Sequence, residues 1–346
     1  MKWQNFKKFV VDSRKVEPGC CFFALKGERA NGHDFLEDVA KKGAGLAVTR
    51  RGVKASLPTL EVDDPFETLQ SWAKQKFSLS KAKKIGITGS LGKTTTKDFL
   101  AQLLSTRFRV AKTIESYNGQ IGLPLSILNS ELEAEILVLE MGINQIGEME
   151  KLIQIAPIEI AVLTGVSESH VGNFGSMEEL GRQKKLILSS PNLERFFTRD
   201  DAIAICHPLT AGHLNDNLAL ASAVANFLGM SRGEIEKASQ NLELAPHRFN
   251  QFEKEGVIYI DDSYNASATS IKAAASNLPK GKRYIAVLSE MVEMGAFHDE
   301  EHRKAGEAIK GVVDELFVLG DRVESMIDGF GGPTQHFKDF DALKNA

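Results

Sequence analysis

The stretch KKIGITGSLGKTTTKDFLAQLLS, residues 83–105, holds the residues best suited to chemistry: glycines at 89 and 92, then Lys93, Thr94 and Thr95. An apolar run ends at Thr88, and after Gly92 the side chains of Phe99, Leu100, Leu103 and Leu104 fall on one helical face. A strand, turn and helix in that order point backbone N–H groups inward and add the positive potential of a helix amino end. They also place a lysine where it neutralises terminal phosphates. Gly89, Ser90, Gly92, Lys93, Thr94 and Thr95 therefore form a candidate cradle for a nucleoside triphosphate, and the Thr94 hydroxyl is a candidate magnesium ligand. The general pattern G-x-x-x-x-G-K-[ST] is incomplete, because Ile87 stands six residues before Lys93.

A metal on those phosphates needs a carboxylate, usually at the end of a neighbouring strand, and EILVLEMG supplies Glu140. Taken alone, Glu140 reads more readily as a polar residue leaving a sheet; beside a phosphate turn, magnesium is the favoured reading. The next strand-like run opens onto TGVSESHVGNFGSMEELGRQKK, with His170 and Lys184. A single histidine is more often a hydrogen-bonded structural residue and a single lysine a solvated one, so spacing assigns neither.

These residues need a scaffold, and the apolar rhythm describes it. Residues 1–82 carry short strand-like runs (CFFALKG, AGLAVTR, TLEVDD) and then PFETLQSWAKQKF, a helical pattern opening on proline; this is a small mixed α/β domain ending in the polar linker SLSKAKK. Residues 83–245 alternate strands (IGIT, EILVLEM, EIAVLTGV) with helices, as a parallel-sheet domain does, and NDNLALASAVANFLGM reads as a helix stopped at Gly229. Residues 246–346 form a second α/β unit with strands GVIYIDDSY, RYIAVLSEM and ELFVLGD and helices SATSIKAAASNL and DEEHRKAGEAIKG. The fold class is α/β in three domains. A net charge of −4 disfavours nucleic acid, three unpaired cysteines fit a reducing compartment, and no run reaches the roughly 18 apolar residues of a membrane span, so a cytoplasmic protein is expected.

Together the motifs resemble the Mur ligase family, ATP-dependent enzymes that add amino acids to a peptidoglycan precursor, in order along nearly the whole chain. DSRKVEPGCCFFALKGERANGHDF is similar to the family's uridine-nucleotide-binding domain, which implies UDP-sugar contacts at Ser13, Arg14 and Lys26. TGSLGKTTTKDFL resembles a family phosphate loop that also lacks the first glycine. SYNGQIGLPLSIL resembles an asparagine-rich substrate loop retaining Asn118, with Ser116 and Gly119 where asparagines are typical. The long match from LEMGINQIG to SMEEL implies that Glu140 and His170 join Thr94 as metal ligands, and that Lys184 is carbamylated and helps hold a second Mg2+. HRFNQFEKEGVIYIDDSYNASATS resembles the start of a Rossmann-like carboxy-terminal domain, with Arg248 reaching the ATP phosphates and Tyr264 and Asn265 touching the nucleotide. Without the resemblance, Asp262, Tyr264 and Asn265 read equally as a helix-capping turn.

The implied catalytic set is Lys93, His170, Lys184 and Arg248. The implied partners are UDP-N-acetylmuramoyl-tripeptide and D-alanyl-D-alanine, joined by a monomeric enzyme through an acyl phosphate. The chain departs from the family at several points. Only about two dozen residues bridge QKKLILSS and GHLNDNLALASA, Ser289 and Glu290 replace a usual Gly-Asp pair, and Leu186 and Leu214 replace polar residues. The central domain is therefore expected to lack strands, and the carboxy-terminal domain, ending at DALKNA, to be incomplete. A relative that binds nucleotide or UDP-sugar without ligating is the alternative reading; an unrelated ATPase or kinase would leave both terminal matches unexplained.

Overall fold

The protein is described by a computed structural model covering residues 3–27, 30–209, 211–281 and 283–345. The first region is a four-stranded parallel sheet in sequential order, Phe9–Val10, Cys21–Phe23, Leu46–Arg50 and Thr59–Val62. It is followed by the helix Pro65–Leu79, where Asp64 accepts a hydrogen bond from Phe66 N (2.8 Å) and Pro65 occupies a first-turn position that needs no N–H. This helix runs through Leu79 and the next strand starts at Lys83, so the expected linker SLSKAKK shrinks to residues 80–82.

The central region is a five-stranded parallel sheet in the order Val110–Lys112, Ile136–Glu140, Lys83–Thr88, Ile160–Leu163, Arg195–Phe197. Alternate residues of the inner strands face opposite ways. Ile85, Ile87, Val138 and Val162 pack under the helices Lys93–Ser105 and Gly212–Phe227. On the other face Leu137, Leu139 and Ala161 join Leu123, Met149 and Leu152, and this cluster continues into Trp72, Phe77 and Phe23 of the first region. The first two regions thus share one apolar core. The short bridge after Lys184 still supplies a strand: Arg195–Phe197 pairs with Ile160–Leu163, and Arg199 ties the bridge back by donating to Thr164 O (2.7 Å).

The last region corrects one expectation. Val257–Asp261 does not join the parallel sheet of Ile285–Ser289, Glu315–Leu319 and Thr334–Phe337; it forms an antiparallel hairpin with the polar strand Asn250–Lys254. The cause is local. Glu255 and Gly256 both adopt left-handed backbone (φ 54° and 78°), the geometry of a two-residue turn whose twist suits a hairpin, and Phe252 stacks on its cross-strand partner Tyr259 at 5.1 Å. Asp262 closes the hairpin's base by accepting from Phe249 N (3.1 Å). The turn SYNAS does not cap a helix through Asp262 or Asn265; Ser267 is the cap of helix Ala268–Ala275, in a reciprocal pair with Ser270.

Helices His298–Ile309 and Glu324–Phe330 cross at a point where Gly306 and Gly329 let the backbones meet. A Cβ on Gly306 would lie 2.1 Å from Met326 O, and one on Gly329 would lie 2.2 Å from Arg303 O. Gly306→Ala is therefore expected to destabilise this region by about 1–3 kcal/mol through overpacking. Both tryptophans, Trp3 and Trp72, are buried in the core of the first two regions. The urea transition followed by far-UV circular dichroism should shift while the tryptophan transition stays in place.

Burial raises the Asp262 carboxyl to about 6, against lowering contributions from Phe249 N–H and Arg248. The folded chain then binds this proton more tightly than the unfolded one, so the associated stability is complete below about pH 4 and is lost as pH rises through about 6. Asp262→Asn keeps an acceptor for Phe249 N–H and removes the charge. Its stability relative to the parent, from urea titrations between pH 4 and 8, should rise across that window and level off at roughly 3 kcal/mol above it.

Candidate active site

Between strand Lys83–Thr88 and helix Lys93–Ser105 the chain turns through Gly89 (φ 148°) and Gly92 (φ 77°), conformations open to glycine. A side chain at either would also collide: its Cβ would lie 2.0 Å from Thr164 Oγ1 at position 89 and 2.4 Å from Asn217 Oδ1 at position 92. The loop is anchored to the segment after the neighbouring strand, with Ser90 N donating to Gly165 O (2.8 Å) and Ser90 Oγ to Ser167 O (2.9 Å).

Two lysines converge on one carbonyl of this loop. Lys93 Nζ donates to Gly89 O (2.9 Å) and Ser90 O (3.1 Å), and Lys184 Nζ donates to the same Gly89 O (3.1 Å). Lys184 is only 1% exposed; burial, and behind it the charge of Lys93, hold its ammonium well below the ordinary lysine range. Lys93 is also lowered by burial, with Glu140 opposing and Arg248 adding to the effect.

Thr94 Oγ1 lies 3.2 Å from Ser116 Oγ and accepts from the Arg248 guanidinium at 3.2 Å, which brings the last region onto the loop. Arg248 is held over the Tyr264 ring, 3.7 Å from its centroid. Asn265 bonds the following backbone N–H, at Ala266, and Thr95 is buried on the phosphate-loop helix.

Glu140, at its strand end, receives Asn118 Nδ2 on Oε1 (2.6 Å), and its backbone N–H donates to Thr113 Oγ1 (2.8 Å). Its other oxygen, Oε2, is buried without a hydrogen-bond partner, 3.6 Å from Lys97 Nζ. An orphaned carboxylate oxygen on the strand beside a phosphate-loop hydroxyl is a donor set that fits Mg2+, a hard cation that keeps waters and shares phosphate oxygens. Among the described residues no three His, Cys, Asp or Glu side chains form a metal cluster by themselves.

His170 sits in left-handed backbone (φ 67°), and its Nδ1 meets the Glu293 carboxylate from the last region. Burial lowers its pKa, aided by Lys93 and Lys184 and opposed by Glu293.

The expected substrate residues lie apart. Arg14 is an exposed side chain held by Asp12 (2.7 Å), Ser13 O accepts from Lys42 (2.9 Å), and Lys26 lines a small basic hollow with His33 and Arg50. Glu28 and Arg29 of LKGER fall outside the described residues. A cleft of about 500 Å³ opens between the first and central regions, lined by Asp12, Lys15, Tyr117 and Asn129 among others. Asn118, expected at the substrate, donates to Glu140.

Sequence reasoning passed over Lys97 and Glu293. Lys97 lies four residues after Lys93 on the same helix, a spacing that places it on the same face. Glu293 lies in LSEMVEMG, where no local pattern marks it as a partner of a histidine 123 residues away.

Comparison with known proteins bears on all three regions. Family profiles described as "Mur ligase family, catalytic domain", "Mur ligase middle domain" and "Mur ligase, glutamate ligase domain" match residues 7–87, 87–243 and 247–346. UDP-N-acetylmuramoyl-tripeptide–D-alanyl-D-alanine ligase of Bacillus subtilis (strain 168) is 30% identical, over 90% of this chain and 79% of that protein. The ligase of the same name from Escherichia coli (strain K12) is 29% identical, over 96% and 85%. The fold matches MurF from Acinetobacter baumannii with a TM-score of 0.85 at 25% identity, covering 98% of this chain and 87% of that one. It matches MurF ligase from Thermotoga maritima in complex with ADP at 0.80 and 28%, covering 100% and 92%. With three domain profiles in sequence and likeness over most of the chain at both levels, the chain belongs to the Mur ligase family.

Proposed function

We propose that this protein is an ATP-dependent amide ligase that joins D-alanyl-D-alanine to UDP-N-acetylmuramoyl-tripeptide, the reaction named for its relatives from B. subtilis and E. coli. The observation that carries the reading is Arg248 reaching Thr94 from the last region, which puts cations of two domains around one phosphate loop. In this reading residues 1–82 hold the UDP-sugar, residues 83–245 hold ATP and residues 246–346 close over it. Ser13, Arg14 and Lys26 contribute to the first site. No helix among the described residues is long and apolar enough to cross a membrane, and ATP and UDP-sugar as substrates place the reaction in the cytoplasm.

The chemistry activates a carboxylate. An oxygen of the peptide's terminal carboxylate attacks the γ-phosphorus, ADP leaves, and the dipeptide amine then attacks the acyl carbon. Phosphate departs and one proton is released. Two anions must meet in the first step. Lys93 and Arg248 offset that repulsion and the charge spreading over the transferred group, where positioning and electrostatics supply most of the rate. Mg2+ bound through Thr94, Glu140 and His170 would supply further charge neutralisation at the phosphates. Lys184, buried and shifted toward the neutral amine, suits addition to carbon dioxide. The ammonium first gives up one proton; the neutral amine then forms an N–C bond to carbon dioxide and loses a second proton, so that with two protons released the cation becomes an anionic carbamate. Tyr264 holds Arg248 in place, and Asn265 lies beside it at the nucleotide. Domain closure keeps water from the acyl phosphate.

Phosphate release from ATP should require both UDP-N-acetylmuramoyl-tripeptide and D-alanyl-D-alanine; nucleotide binding with no release would leave only the binding reading. Lys93→Ala should abolish turnover. Lys184→Ala should reduce it nearly as far, and short carboxylic acids should restore part of the Lys184→Ala activity but none of the Lys93→Ala activity. Near-normal turnover by both variants would remove the proposed centre.

A further inference from the structure

The segment following strand Ile160–Leu163 carries the seam between the central and last regions. Glu168 accepts from Thr269 N (2.7 Å) and Thr269 Oγ1 (2.8 Å) at the amino end of helix Ala268–Ala275. Gly172 abuts Gly295 backbone to backbone, so that a Cβ on Gly172 would lie 2.5 Å from Gly295 N. Between these two ties, two residues from the Glu168–Gly172 tract and its opposite loop, His170 and Glu293, meet side chain to side chain.

Both members of that pair sit in left-handed backbone, His170 at φ 67° and Glu293 at φ 65°, although neither is glycine. Such conformations cost energy and persist where the surroundings over-determine them, most often at functional positions. Here the two strained residues aim at each other across a domain boundary. Packing does not require it, since the Glu293 side chain remains 41% exposed.

The pairing also settles the imidazole. A carboxylate can only accept, so the proton in this hydrogen bond belongs to His170 Nδ1, and in the neutral imidazole Nε2 is then the nitrogen with a free lone pair. Histidines that bind metals commonly donate their second ring N–H to a carboxylate, which locks tautomer and ring orientation and raises ligand basicity. Glu293 has that relation to His170, with one difference: it arrives from another domain.

We propose that Glu293 is a positioning residue for His170, supplied across the seam so that the imidazole is set for a divalent cation only while the last domain is docked on the central one. The inference rests on the reading of His170 as a metal ligand. It makes metal binding a consequence of closure: the segment that carries His170 is the one the docking domain grips, through Thr269, Glu293 and Gly295.

The test uses the full chain with ADP and Mn2+ as the probe, reading bound Mn2+ by electron paramagnetic resonance so that no turnover is needed. Glu293→Ala should weaken Mn2+ binding about 10- to 100-fold. Glu293→Gln, whose amide oxygen can still accept from Nδ1, should recover most of that loss, a rescue that a generic tie between domains would not predict. In a His170→Ala background, Glu293→Ala should have no further effect. Full loss in that background, or Mn2+ binding by Glu293→Ala within twofold of the parent while His170→Ala binds poorly, overturns the proposal and leaves His170 as a ligand. Unchanged Mn2+ binding by His170→Ala removes the ligand reading itself, and this inference with it.

Discussion

Two lysine side chains share one carbonyl oxygen at the centre of this molecule. Lys93 and Lys184 both donate to Gly89 O, Arg248 stands on the adjacent Thr94, and the buried carboxylate Glu140 accepts from Asn118 on one oxygen and leaves the other without a hydrogen bond, 3.6 Å from Lys97. Like charges held this close, in surroundings that screen them poorly, cost free energy, and burial with the charge of Lys93 holds the Lys184 amine well below its ordinary range. A nucleoside triphosphate would offset the positive charge of Lys93 and Arg248. The rest of the architecture can be understood as what it takes to hold the lysines, the arginine and the carboxylate there before any ligand arrives.

Each member of the cluster is held by a different structural device. The glycines at 89 and 92 let the loop turn where a side chain would strike Thr164 or Asn217. Lys184 reaches inward from helix Met177–Lys185, whose amino end is capped by Ser176. Arg248 depends on the hairpin beside it and on the Tyr264 ring beneath it. Glu140 depends on Thr113 and Asn118. None of these supports is large, but together they leave the charged atoms little freedom, and preorganisation of that kind is how a polar site stabilises developing charge without rearranging.

The three regions do not divide into three separate cores. The first two regions share an apolar cluster running from Trp72 and Phe23 to Leu139 and Met149. The last region has its own core around Ile309, Leu316 and Met326. It meets the central region through polar pairs and a glycine contact at the seam, and through Phe249 and neighbouring hairpin residues against the central core. A boundary built mainly from hydrogen bonds can separate at lower cost than one built from buried hydrocarbon.

Residue order alone determined the phosphate loop, the alternation of strands and helices and the division into three α/β regions, because each follows from interactions within a dozen or so neighbours. Glycine spacing, helical faces and strand length are local properties of the chain. It also determined which side chains were available for the centre. Tertiary structure decided how they meet. Lys184 reaches Gly89 across 95 residues and Glu293 reaches His170 across 123, contacts that no local pattern encodes. It also decided against the expected placement of Val257–Asp261, where a two-residue turn offered the polar strand Asn250–Lys254 as a nearer partner than the sheet. Pairing over long separations depends on the geometry of everything between, and only the folded chain evaluates that.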